Sequence, residues 1–259
     1  MLTGETLTRA GIDVVTLKPA ECDVSRGREL PIDTVAVDYE GRKHLPDERT
    51  LSRLAEEKRV LVTTPVRADG FDPLGDDSLL DRLPSEVRRV LVAGHPAYLS
   101  EAEKDRAVAP RLSRALQSAP DAWVGTEGVE RLAMAAGGVQ YDLLSRDTES
   151  ELRGLRAAGF GGELAVYAPT VLTDDGDAIL DAVGAYAARR GPVAMALPEG
   201  APTDSSAGGR AREVLSAAVR DYALVGSVED VRSQVEALRE AGADHVVAYP
   251  ARGIDDFLA

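Results

Sequence analysis

Eight short runs rich in β-branched and aliphatic residues recur along the chain, and segments with helical patterning fill most of the gaps. The runs span residues 12–17, 34–38, 59–64, 89–93, 122–124, 139–144, 163–168 and 244–249. Several are apolar throughout rather than alternating, the pattern of parallel strands covered on both faces. Between them, Pro46 to Lys58 carries Leu51, Leu54 and Ala55 on one helical face. Ser100 opens a capping-box start to a helix reaching Ser118. Ser227 reads as the N-cap of a further helix, with Val228, Val231, Val235 and Leu238 on one stripe and a stop at Gly242.

Eight strand and helix repeats over 259 residues predict an α/β fold, a (β/α)8 TIM barrel. The competitor is an open doubly wound sheet, whose dinucleotide-binding form lacks its G-x-G-x-x-G signature here. A barrel must pair the first run with the last, and an open sheet separates them. We read residues 1–259 as a single barrel domain, with a flexible loop at 198–209 rich in Pro, Gly and Ser.

Charge narrows the functional classes. Asp plus Glu number 44 against 30 Lys plus Arg, and the net charge is -14. Such a surface repels phosphate backbones and anionic lipid, so nucleic-acid and membrane partners are not expected. The amino-terminal stretch lacks a signal-peptide pattern, and a cytoplasmic location is expected. One cysteine, Cys22, permits no internal disulfide, and no histidine pair has ligand spacing, so no metal site is expected. Only four of the basic residues are lysines, Lys18, Lys43, Lys58 and Lys104. Excess carboxylate with little lysine suits concentrated salt, and a halophilic archaeal source is the expectation; a GC-rich genome alone explains the Arg bias but not the acidity.

Two stretches resemble the bacterial-luciferase-like superfamily, the flavin- and deazaflavin-dependent barrels that include methylenetetrahydromethanopterin reductase. Leu224-Val-Gly-Ser-Val-Glu-Asp-Val, continuing to Ala241-Gly-Ala-Asp244, is similar to the family's closing helix and strand. Ala122-Trp-Val-Gly-Thr-Glu-Gly-Val129, running on to Gly137-Gly-Val139, is similar to its fifth strand and Gly-rich loop. The resemblance covers about a sixth of the chain, on a barrel lacking most of the family's insertions. It implies an oxidoreductase transferring hydride between a flavin such as FMN, or a deazaflavin coenzyme, and a small organic substrate. Strand four, Leu91-Val-Ala-Gly-His-Pro96, and the Leu143-Leu-Ser-Arg146 end of strand six depart from the family pattern. Two alternatives therefore stand: a degenerate, non-catalytic barrel serving as a binding or scaffold protein, and a cofactor-free lyase or aldolase-like barrel.

Chemistry in a barrel sits where strands end. Those positions carry Lys18, Asp38 with Tyr39 and Glu40, Thr63 with Thr64 and Arg67, His95, Glu127, Ser145 with Arg146, and Tyr249. His95 is the first candidate for proton transfer, and reads equally as a turn histidine. Glu127 is the second candidate. Lys18 could form a Schiff base or pair with Glu21 and Asp23. Gly125, Thr126 and Gly128 open a helix and could hold a phosphate, or form a plain capped turn; Arg67, Ser145 and Arg146 complete the candidate cofactor contacts. Trp123 and Tyr141 read as core. The expected partners are a small-molecule substrate and cofactor, with self-association left open. If the acidity is a salt adaptation, the melting temperature rises between dilute buffer and molar potassium chloride; a flat or falling value refutes it.

Overall fold

The computed structural model describes residues 5–66, 80–95 and 107–258. Nine parallel-type strands are β1 (Val14–Leu17), β2 (Thr34–Val37), β3 (Arg59–Pro65), β4 (Arg88–Val92), β5 (Trp123–Gly125), β6 (Gln140–Leu143), β7 (Leu164–Leu172), β8 (Leu224–Gly226) and β9 (His245–Pro250). Their hydrogen-bonded order is β6-β5-β4-β3-β2-β1-β9-β7-β8, with a further β6–β7 pairing. The sheet closes, and the fold is a (β/α)8 TIM barrel. The eight predicted runs are the eight strands of the ring, and the first and last of them are neighbours as a barrel requires. The remaining strand, β8, pairs Leu224–Gly226 with Thr170–Leu172 at the far end of β7.

By contacts the chain divides into two compact units, Asp13–Asp142 with Gly161–Ala165, and Met1–Ile12 with Leu143–Phe160 and Val166–Ala259. In the first, the ladders run in register: Leu17 lies opposite Val37, Val37 opposite Val62, Thr63 opposite Val90, and Val90 opposite Trp123. Strand side chains alternate between faces. A Cβ on Gly27 would meet Leu17 at 3.2 Å, Val35 at 3.3 Å and Leu54 at 3.4 Å, so Leu17 and Val35 face the helix α2 (Glu48–Ala55). Lys18, Thr16, Ala36, Asp38 and Thr63 thus fall on the opposite face. Farther along, Leu91 and Val124 pack with Leu112 and Ala115 of α3 (Val108–Ser118) and Ala133 of α4 (Glu130–Ala136). The helix predicted from Pro46 is shorter, capped by the Asp47 carboxylate on the Thr50 N–H at 2.7 Å. Lys58, expected at its end, donates instead to the carbonyls of Leu30 and Ile32, both at 2.7 Å. The predicted capping box at Ser100 lies outside the described residues.

The second unit is built on helices. Ile179, Leu180, Val183 and Ala187 of α6 (Gly176–Ala188) pack against Leu215, Ala218, Val219 and Tyr222 of α8 (Gly209–Tyr222). The final long helix, α9 (Val228–Ala241), opens at the predicted N-cap Ser227, which forms a capping box with Asp230, and closes at Gly242. Arg156, on α5 (Thr148–Ala157), secures that end by donating to the Gly242 carbonyl at 2.8 Å and to Asp244 at 2.5 Å. Residues 198–208 form no regular element, yet Ser205 donates its N–H to Asp181 on α6 at 2.9 Å. A Cβ at Gly184 would stand 2.2 Å from the Thr203 carbonyl oxygen. Gly184→Ala therefore forces that loop off α6 and lowers stability by about 1–3 kcal/mol. Gly154→Ala on exposed α5, where a Cβ meets nothing within 4 Å, gains up to ~1 kcal/mol. Paired thermal melts read both, and equal effects refute the packing account.

Candidate functional site

The ends of β1, β2 and β3 bring three chemically able groups into one cross-strand row. Extending the register by one residue sets Lys18 beside Asp38 and Asp38 beside Thr63. The chain is held there by the Asp38 N–H, which donates to the Leu17 carbonyl at 2.9 Å. Thr63 is buried, and its hydroxyl oxygen accepts the Tyr39 N–H at 2.6 Å. The same hydroxyl bonds the Asp38 carboxyl. Lys18 is also 3.7 Å from Glu21, and Glu40 accepts the Ala20 N–H at 2.7 Å.

This setting alters Asp38. Loss of hydration pushes its pKa up to about 7, and the negative charges of Glu40 and Glu21 push the same way. Lys18 and the Thr63 hydrogen bond oppose the rise without cancelling it. A carboxylic acid in exchange with its carboxylate near neutral pH is equipped to give or take a proton. Thr16 lies two residues before Lys18 on the same face, fully buried, and its hydroxyl has no hydrogen-bond partner among the described residues. Thr64 and Thr170 differ, donating to the Val62 and Ala168 carbonyls of their own strands.

A second pair forms where β4 and β5 end. His95 Nε2 lies 3.5 Å from Glu127 Oε2, with about a third of each side chain exposed. The close approach depends on Gly94, since a Cβ there would meet the Glu127 carbonyl oxygen at 2.3 Å. The predicted phosphate loop is largely occupied by its own bonds. Thr126 donates its N–H to the Tyr141 carbonyl at 3.0 Å, and Val129 donates to Thr126 at 2.8 Å. Gly128, at φ 72, donates to the Glu130 carboxylate at 3.1 Å. A ligand phosphate at this turn has to displace that carboxylate. Gly125 ends β5 opposite Tyr141. Trp123 and Tyr141 are buried with ring centroids 6.1 Å apart, in keeping with the core reading.

Ser145 and Arg146 belong to the other unit. The Ser145 N–H donates to Thr148 Oγ1 at 2.8 Å, and its hydroxyl accepts the Asp147 N–H at 3.2 Å, an arrangement that starts α5. Arg146 is exposed, 3.9 Å from Asp147. Arg67 lies outside the described residues. Among the described residues no group of three or more His, Cys, Asp or Glu is placed to hold a metal, and no helix is long and apolar enough to cross a membrane.

Sequence reasoning named Asp38 and Thr63 among strand-end groups but gave the leading roles to His95, Glu127 and Lys18. One signal was available: Thr34-Val-Ala-Val-Asp38 is an apolar strand terminated by a carboxylate.

A family model matches residues 7–257. The chain belongs to DUF7388, a family of unknown function. No curated protein matches it by sequence. Solved structures do resemble it. An F420-dependent secondary alcohol dehydrogenase, in complex with an F420-acetone adduct, aligns with a TM-score of 0.60 at 12% identity, covering 95% of this chain and 96% of its own. The monooxygenase RslO1 from Streptomyces bottropensis gives 0.51 at 15%, covering 94% and 95%. Apo-MsnO8 gives 0.54 at 14%, covering 95% and 94%. At these identities the likeness is one of fold, a (β/α)8 barrel.

Because the folded state holds Asp38 protonated to higher pH than the unfolded chain does, folding takes up a proton between about pH 4 and 7. Stability falls as pH rises through that window and levels off above it. Asp38→Asn removes this slope, so the variant matches the parent near pH 4 and melts higher at pH 8. Parallel melting curves across pH 4–8 refute the assignment.

Proposed function

We propose that this DUF7388 protein is a luciferase-like oxidoreductase that moves hydride between a flavin or deazaflavin and a small organic substrate. The observation that carries the reading is the Lys18–Asp38–Thr63 row, set at the carboxyl ends of adjacent strands, where barrel enzymes hold their chemistry. Support also comes from the fold shared with an F420-dependent dehydrogenase and a monooxygenase.

The residues fit such a cofactor in part. Asp38 in its protonated form and the Thr16 hydroxyl, unpartnered among the described residues, supply donors on one face for the polar edge of a ring, and Thr63 steadies Asp38. Loop 125–128 offers a phosphate little beyond N–H groups already used, and Glu127 and Glu130 add negative charge there. A bound flavin or deazaflavin would supply the hydride equivalent. Asp38 protonates or deprotonates the substrate oxygen, and Thr63 holds the carboxyl in place. Lys18 compensates the charge when Asp38 is ionised. His95 with Glu127 forms a second proton-handling pair on the same unit.

One observation favours a second reading. An amine beside a carboxylic acid titrating near 7 is also what a cofactor-free, Schiff-base lyase needs, with Lys18 as nucleophile and Asp38 as proton carrier. Calorimetric titration with FMN and with a deazaflavin, in molar potassium chloride, separates the readings. Under the oxidoreductase reading one of them binds, Asp38→Asn keeps binding and loses about 100-fold or more in turnover. If the loop takes the phosphate end, Glu130→Ala tightens binding by freeing the Gly128 N–H and removing a negative charge. Silence from both ligands at millimolar concentration ends this reading. Borohydride trapping of a small aldehyde on Lys18, absent in Lys18→Ala, then marks the lyase, and its failure leaves the non-catalytic barrel.

A further inference from the structure

We infer that Thr63 is a positioning residue that sets both the orientation of the Asp38 carboxyl and the pH at which it changes charge. The inference rests on the reading of Asp38 as the proton-transfer group.

A threonine hydroxyl has one proton and two lone pairs. Here the Tyr39 N–H takes a lone pair at 2.6 Å, in a buried position, and that donor is backbone that no rotamer change removes. With a donor fixed on the oxygen, the hydroxyl proton turns toward its other neighbour, the Asp38 carboxyl, to which it is hydrogen-bonded. Tyr39 directly follows Asp38, so the strand-end backbone and the carboxyl are both tied to one atom of β3. The bond ties the carboxyl to β3 and so limits the orientations it can take. It also steadies the ionised form, since a donated proton is worth more to a carboxylate than to a neutral acid.

Among the described residues, the charged groups acting on Asp38 are Lys18 and Glu21 from the segment after β1, and Glu40 from its own, and β3 contributes the Thr63 hydroxyl. No charge therefore changes when the hydroxyl is removed, and the effect of Thr63 can be read alone.

The test is a carbon-13 NMR titration of the full-length protein labelled at aspartate carboxyls, with the Asp38 signal assigned by its loss in Asp38→Asn. Thr63→Val keeps the shape and deletes the donor, and the Asp38 midpoint moves up by about one pH unit. Thr63→Ala moves it the same way, and stands in if the valine variant does not fold. Thr63→Ser keeps the donor and stays within a few tenths of a unit of the parent. An unchanged midpoint in Val or Ala, or an equal rise in Ser, overturns the inference. No cofactor enters the titration, so failure to bind flavin counts against the oxidoreductase reading and leaves this result untouched.

Discussion

Register between β1, β2 and β3 is the constraint on which the chemistry depends. Strand side chains alternate, so a slip of one residue in any of the three moves its whole set to the other face. Lys18 and Asp38 would then turn toward α2, and Leu17 and Val37 away from it. What forbids the slip is apolar: Leu17, Val35 and Leu54 close tightly around Gly27, within 3.2–3.4 Å of where a Cβ would stand. A buried leucine contributes about 1.5–3 kcal/mol against exposure, and several act together here. The polar row at the strand ends is thus aligned by a hydrophobic contact on the reverse side of the sheet. Its own hydrogen bonds add fine position, and could not hold register unaided.

The ring of strands was legible because each carries a continuous apolar run, and the observed ends differ from the expected ones by a residue or two for seven of the eight. The exception is β7, expected to stop at Ala168 and found to reach Leu172. Pro169 reads as a strand breaker because it has no N–H to donate. It is tolerated at a change of partner, after Tyr167 has accepted the Leu144 N–H and before Thr170 pairs with β8. The short β8 was missed for the same reason. Three residues following directly on a helix show no period of their own, and their pairing partner is the stretch that Pro169 conceals.

Site residues were less legible, and the physical reason is that type and spacing say nothing of hydration or of bonds already made. His95 and Glu127 are thirty-two positions apart, and only the missing side chain of Gly94 lets their loops meet. Gly128 looked like an open donor, yet Glu130 two residues later takes its N–H. Ser145 looked like a ligand contact and is committed to the first turn of α5. Asp38 was one carboxylate among 44. What distinguishes it is the desolvation that follows from ending an apolar strand between two neighbouring strands, β1 and β3, a property of the fold that no local pattern encodes.

The acidity of the whole chain and the acid at the site obey different physics. Long-range repulsion among surface carboxylates fades beyond a Debye length, about 3 Å in molar salt. The Lys18–Glu21 pair, at 3.7 Å with half of the Glu21 side chain exposed, is screened in the same way. Desolvation of Asp38 is not a charge–charge effect and salt leaves it in place, as it does the Thr63 hydrogen bond. In concentrated salt the forces that remain at Asp38 are therefore burial, which raises its pKa, and the adjacent Lys18 charge and one hydroxyl, which lower it. A protein carrying a net charge of -14 can keep a neutral carboxylic acid at its strand ends because that acid answers to local packing rather than to the surface field.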